Sequence, residues 1–273
     1  TFDENLTASD AAERLAELDA VRKIQFNTEV KQERSEMMPY EGVMTRSGNG
    51  GTSFDDPFFD EQWNLHNDGS VASSAVAGAD IAVKDAWRLT GGDPSVVVAV
   101  FDCAVNSMHE DLKDALWINT AEVEGEAGKD DDGNGYIDDI HGYNFVADSG
   151  KITADSHGTH VAGTISAVNN NGYAVCGIAG GTGNGDGVKI MSIQIFEGDD
   201  GCYASTIAKG VKYAADNGAV IINNSWGYDP HDNYTGDNEY EYYDSVLKDA
   251  FRYFKEKARL DGVMEGGLVV FAA

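Results

Sequence analysis

Basic residues are scarce. Lys and Arg number 19 against 47 Asp and Glu in 273 residues, a formal charge of −28. Tracking nucleic-acid phosphates or adhering to an anionic membrane needs net positive surface, so the composition argues against both partners. An acid surplus suits a protein that holds cations. Nor does any run approach the roughly 20 apolar residues that span a bilayer. The longest, at residues 96–101 and 268–273, are each a strand's worth, so no transmembrane segment is expected. The chain opens at Thr1 with no initiator Met and no signal-peptide pattern, so its compartment has to be inferred from function. The three cysteines, Cys103, Cys176 and Cys202, are an odd count at unrelated spacings. They make neither a disulfide framework nor a metal knuckle and read as small buried core residues. What is present is core material: with 42% hydrophobic and 10% aromatic residues the chain is no disordered acidic tail. Its length fits one large domain with a short appendage, or two small domains.

Residues 11–23 place apolar side chains near helical spacing and lead into a strand-like stretch at 24–30, enough for an appendage but not for a core. Residues 35–55 are rich in Gly and Ser and read as a linker, so a boundary falls there. From residue 56 onward short apolar runs alternate with amphipathic stretches. Strands are expected at 95–102, 189–196, 219–224 and 267–273, and helices at 82–89, 157–169, 204–217 and 245–260. Strands apolar on both faces and alternating with helices imply an α/β three-layer sandwich around a mainly parallel sheet. Function gathers at the carboxyl ends of such strands, which singles out Asp102 and residues 223–225.

Asp102 ends the run Val97-Val98-Ala99-Val100-Phe101. A carboxylate there either caps the following turn or meets a donor or cation, because a dry unpaired charge is costly. The candidate partner lies in Asp155-Ser156-His157-Gly158-Thr159-His160-Val161-Ala162-Gly163-Thr164. Asp155 or Ser156 can cap a helix whose first turn holds His157, with Gly158 and Gly163 allowing close approach of other backbone. The i, i+3 spacing of His157 and His160, without an intervening Glu, departs from the helical zinc pattern. On residues alone, each His is as well explained by a structural role.

Between these segments lies Asp130-Asp131-Asp132-Gly133-Asn134-Gly135-Tyr136-Ile137-Asp138-Asp139. Oxygen ligands at alternate positions (Asp130, Asp132, Asn134, the Tyr136 carbonyl, Asp138), Gly at the sixth and an apolar residue at the eighth match a helix-loop calcium site. The twelfth position is His141 rather than Glu, so a bidentate ligand has to come from elsewhere, with Asp139 a candidate. A merely solvated acidic loop is the alternative.

Ser156 to Thr164 resembles the histidine signature of the subtilisin-like serine peptidases, the subtilases. Val97 to Asp102 resembles their aspartate signature, and Ile221-Ile222-Asn223-Asn224-Ser225-Trp226-Gly227 the strand lining their substrate cleft. The resemblance covers residues 56–273. It implies that His157 is the general base and then general acid, that Asp102 fixes its tautomer, and that His160 is structural. It further implies that Gly201, Cys202 and Tyr203, with Ser225, Trp226 and Gly227, hold an extended peptide by strand addition. Asp111 and Asn170 match ligands of the family's strong calcium site. Residues 1–34 resemble the last part of an inhibitory propeptide, with processing between Ser35 and Gly51; an unrelated tail is the alternative. A secreted or cell-surface location follows from the same resemblance.

Two departures stand out. Where the family has a hydroxyl residue and Gly after the aspartate, this chain has Cys103 and Ala104. The family's Gly-Thr-Ser-Met serine motif does not follow Trp226, and Gly51-Thr52-Ser53 precedes the aspartate and opens no apolar helix. The nucleophile and the oxyanion-hole Asn are therefore expected beyond Ala273, in a C-terminal remainder that also completes the fold, leaving this portion inactive alone. The expectation is a calcium-stabilised serine endopeptidase acting on peptide or protein substrates. The alternative is a non-catalytic peptide-binding or pseudo-peptidase module that keeps the cleft. Asp199 and Asp200 beside the cleft strand read as solvated acids, or as a preference for basic residues.

Overall fold

The computed structural model describes residues 14–15, 29–30, 54–70, 72, 74–198, 201–227 and 245–272. In chain order the strands are β1 (Glu29–Val30), β2 (Val97–Asp102), β3 (Gly142–Asn144), β4 (Lys189–Gln194), β5 (Cys202–Tyr203), β6 (Ile221–Asn224) and β7 (Leu268–Phe271). The α-helices are α1 (Val83–Trp87), α2 (Thr120–Glu124), α3 (Ser156–Ser166), α4 (Ala204–Asp216) and α5 (Ser245–Lys257). Five strands form one sheet in the order β3-β4-β2-β6-β7, with every pairing parallel.

The central strand β2 is buried along its whole length, which is why its sequence is an unbroken apolar run. Successive residues point to opposite faces. Ala99 and Phe101 pack with Met191, Ile193 and Ile222 against Ile207 and Val211 of α4 and Leu247 and Phe254 of α5. Val98 and Val100 pack with Ile190 against Ala162, Val161 and Ile165 of α3. These two cores make the expected three-layer α/β sandwich. Each fully buried Phe or Ile contributes on the order of 1.5–3 kcal/mol. Asp102 has the parity of Val98 and Val100, so its side chain leaves the sheet on the α3 face.

The elements begin and end close to where their sequence pattern does, with differences that have physical causes. Residue Ala82 sits at φ 53, so α1 starts one residue later than expected. The helix expected to reach residue 169 ends at Ser166. Beyond it tertiary hydrogen bonds compete with helix continuation: Val168 N–H donates to the Asp111 carbonyl, and the buried Asn169 side chain bonds Gly177 N and the Gly181 carbonyl. Strand β3 was not anticipated; it runs so close to β4 that a Cβ at Gly142 would lie 1.9 Å from the Ser192 carbonyl oxygen.

At the amino end, Arg14 and Leu15 are helical, and β1 pairs antiparallel with β5 in the register Glu29↔Tyr203 and Val30↔Cys202. The rest of the expected helix and strand, most of the linker, Gly51-Thr52-Ser53, Asp199 and Asp200 lie outside the described residues. The packed body begins inside the expected linker. Phe54 is buried with its ring 4.7 Å from Trp87, and Asp55 accepts from Gly172 N at 2.9 Å. An aromatic that finds a pocket overrides the polar composition around it. Cys103, Cys176 and Cys202 are buried and form no disulfide among the described residues.

Candidate active site

Asp102 is fully buried at the carboxyl end of β2, and His157 stands across from it in the first turn of α3. The helix starts here because Asp155 is the N-cap, its Oδ1 accepting from His157 N at 2.9 Å. His157 Nδ1 lies 2.8 Å from Asp102 Oδ1 and 3.0 Å from Oδ2. Facing an acceptor, Nδ1 carries the proton and donates it, which leaves Nε2 as the basic nitrogen. Asp102 Oδ1 also accepts from Cys103 N at 2.7 Å. Burial raises the Asp102 carboxyl above its ordinary value, and the bonds from His157 and Cys103 oppose that. The His157 side chain keeps 25% of its surface exposed and can reach a substrate.

Gly158 is what lets α3 come this close, since a Cβ there would lie 2.3 Å from the Ala104 carbonyl oxygen. The same role expected of Gly163 is not found: nothing lies within 4 Å of a Cβ at that position. Gly163 instead lines a groove of about 790 Å³ with Thr159, Thr164, Asn106 and His109. His160 borders that groove and is exposed rather than packed inside the fold.

The departure after the aspartate has a structural counterpart. Ala104 is fully buried at φ 126, a conformation that favours Gly. Such strain costs on the order of 2 kcal/mol, against which Gly would lose about 0.8 kcal/mol in chain entropy and about 0.8 kcal/mol in methyl burial. Ala104→Gly is expected to stabilise the chain by roughly 0.5 kcal/mol. Urea unfolding checks this, and a lower midpoint for the variant would refute the strain.

The two cleft segments lie where strands end. Cys202 is buried and Tyr203 exposed in β5, with Gly201 half-buried before it; this edge carries the pairing with β1. Directly after β6, Ser225 Oγ accepts from Asn223 Nδ2 at 3.0 Å and Gly227 is half-buried. Trp226 is buried with its ring 5.7 Å from Phe271 and 6.2 Å from Phe196.

In the acidic loop the structure brings Asp130 and Asp132 together with Glu122 of α2, one carboxylate oxygen from each lying within 4.8 Å of the others. Asp130 accepts from Gly133, Asn134 and Gly135 N, which wraps the loop around its carboxylate. Buried Glu122 accepts from Asp131, Asp132 and Asp138 N. Of the other candidate ligands, Asp138 turns away to another loop segment, while Asn134 and Asp139 stay linked to Asp132. Asp138 accepts from Gly128 N at 2.9 Å. Asn134 Nδ2 donates to Asp132 and Asp139. Fully buried Asp139 accepts from Tyr213 Oη at 2.6 Å and Asn119 Nδ2 at 3.0 Å, and burial raises its carboxyl. The Tyr136 ring stacks edgewise on Tyr143 and Tyr213, each 4.8 Å away, so that residue offers the loop only its backbone. Glu122 carries no local sequence signal.

Near the amino end of the body, Asp111 is buried and accepts from Asn171 Nδ2 at 2.8 Å and Val175 N at 3.1 Å; burial raises its carboxyl and the charge of Asp56 adds to the rise. The direct amide partner of Asp111 is thus Asn171, while Asn170 Oδ1 accepts from Asp55 N. Asp56, also buried, accepts from Asn170 and Asn171 N. The sequence reading missed Asp56, which stands at the start of the packed body.

A buried aspartate at the carboxyl edge of a parallel sheet, bonded to a histidine at a capped helix N-terminus, places an Asp–His pair on an α/β fold. The family model for the subtilase family matches residues 93–273, and the chain belongs to that family. It is 34% identical over 137 residues to subtilisin-like protease 1 of Plasmodium vivax, covering 50% of this chain and 21% of that protein. The cell wall-associated protease of Bacillus subtilis is 32% identical over 169 residues, 61% of this chain and 16% of that one. The chain thus spans only about a fifth of these relatives' length. Among solved structures, the complex of Aeromonas sobria serine protease with its chaperone aligns over 85% of this chain and 34% of that one, with TM-score 0.55 and 21% identity, a likeness of fold.

Proposed function

We propose that this chain carries the aspartate and histidine of a subtilase-type serine endopeptidase, with the nucleophile supplied by sequence beyond Ala273. The observation that carries the reading is the Asp102–His157 pair: a buried carboxylate 2.8 Å from the nitrogen of a histidine that keeps solvent access. His157 Nε2 takes the proton of a serine hydroxyl and returns it to the leaving amine, while Asp102 holds the tautomer and stabilises the imidazolium. Gly201, Cys202 and Tyr203 and Ser225, Trp226 and Gly227 hold the substrate backbone. The pairing of β1 with β5 supports this, since that edge accepts an extended antiparallel segment. It equally supports reading residues 1–34 as part of an inhibitory propeptide and 35–55 as its processing linker, hence a zymogen. The names of relatives, cell wall-associated in one case, support a secreted or cell-surface location.

Calcium is the second part of the proposal. The donor set of the 130–139 loop is all oxygen, and three carboxylates converge there, two on the loop and a buried third. That set fits a hard divalent ion held by Glu122, Asp130 and Asp132, the ion supplying charge compensation that locks the loop. Asp56, Asp111 and Asn170 make a second candidate, where two buried carboxylates repel.

Fluorophosphonate labelling tests the enzyme reading. The 273-residue chain is expected to hydrolyse no peptide and take no label, and the parent protein extending through a Gly-Thr-Ser to be labelled on that serine. Hydrolysis by the 273-residue chain that survives Ser53→Ala would overturn this.

A further inference from the structure

Strand β4 is buried, yet its sequence Lys-Ile-Met-Ser-Ile-Gln places two polar residues, Ser192 and Gln194, at alternate positions, and both are 1% exposed. Buried polar groups are costly unless bonded, so where these two spend their hydrogen bonds is informative. Ser192 Oγ accepts from Val105 N at 3.1 Å. Gln194 Oε1 accepts from Thr153 N at 2.9 Å, and its Nε2 donates to the Phe196 carbonyl at 3.3 Å. Val105 lies three residues after Asp102, and Thr153 two residues before Asp155, the cap of the His157 helix.

We propose that Ser192 and Gln194 are positioning residues that fix the Asp102 loop and the His157 loop to one rigid strand. The inference rests on reading Asp102 and His157 as the catalytic pair. The register makes the arrangement compact: Gln194 is the strand partner of Asp102, and Ser192 that of Val100. Ser192 and Gln194 share a face and are about 6.6 Å apart along the strand, a spacing set by two strand rises. The offset between the two loops is therefore set by β4 and not by the loops themselves. Strain at Ala104 makes the Ser192 bond necessary, because a non-Gly residue at φ 126 persists only where its surroundings over-determine it. Val105 N on Ser192 Oγ and Asn106 N on Thr159 Oγ1 tether that turn from outside.

The test uses the 273-residue chain and needs no turnover. Proton NMR follows solvent exchange of the His157 Nδ1 proton that bridges to Asp102, beside the amide protons of Val98 and Val100 as a measure of general loosening. Ser192→Ala and Gln194→Met are each expected to speed exchange of the imidazole proton at least tenfold while the two amides keep their rates. Adding Ala104→Gly to Ser192→Ala should restore most of the protection, since the relaxed turn no longer needs its tether. Unchanged imidazole exchange in both variants, or equal acceleration of the Val98 and Val100 amides, would overturn the positioning role. Absence of a protected Nδ1 proton in the parent chain would instead overturn the catalytic pair itself, and the positioning role with it.

Discussion

His157→Ala in the complete peptidase is expected to lower kcat by roughly 10⁴- to 10⁶-fold with KM changed only a few-fold, and Asp102→Asn by about 10⁴-fold. The asymmetry comes from the geometry. Removing the imidazole removes the proton acceptor itself, whereas Asn keeps the shape of Asp102 but offers its amide to His157 Nδ1. That selects the tautomer with its proton on Nε2, the nitrogen that has to be basic. On the proposed reading the β5 and β6 segments hold the substrate, and neither change touches them, so the loss should fall on kcat. Steady-state kinetics on both variants checks it. A KM effect of the same size as the kcat effect would mean that Asp102 and His157 hold substrate and do not move protons.

The second large effect concerns the cation. At about 100 times its dissociation constant, an ion that binds only the folded state stabilises by about 2.7 kcal/mol, which for a chain of this size is a rise of roughly 5–10 °C in melting temperature. Chelation should remove that rise and calcium restore it, with magnesium a poor substitute because it demands stricter octahedral geometry. Glu122→Gln should reproduce most of the chelator's effect, and Asp132→Ala part of it. The three carboxylates within 4.8 Å of one another are the reason: in the absence of an ion their mutual repulsion opposes the folded loop. Melting curves identical in excess chelator and excess calcium would remove both candidate cation sites.

The sheet and the contact between Asp102 and His157 were legible in sequence because each leaves a local mark. Val97 to Asp102 is an apolar run closed by an acid, and residues 155–164 join a cap to a histidine. What stayed hidden depends on contacts between distant segments. Glu122 joins Asp130 because the N–H groups of Asp131, Asp132 and Asp138 bond to its carboxylate, a grouping no local motif announces. Asp56 reaches Asn170 and Asn171 across 114 and 115 positions. The role assigned to Gly163 misread composition as contact: Gly158 faces the sheet, whereas Gly163 lies on another side of the same helix. Ser192 and Gln194 occupy an intermediate position. Two polar residues at period two inside a buried strand are visible in sequence, but which loops they hold requires the register of β4 with β2.

The strand order also dictates when the pair can come into existence. Strand β2 is flanked by β4 and β6, whose matching residues lie 92 and 123 positions further along the chain, Val97 with Lys189 and Val98 with Ile221. At about 5–20 residues per second of synthesis, Asp102 leaves the ribosome roughly 6–24 s before Asn224 completes the second flank. Until β4 ends at Gln194, 92 positions after Asp102, β2 has no partner on either side, and the aspartate has no sheet to bury it. Closing loops of this length before any contact rewards them makes folding slow. The nascent chain is therefore expected to be open and aggregation-prone over that stretch, with the Asp102–His157 pair buried only once β2 gains its flanks.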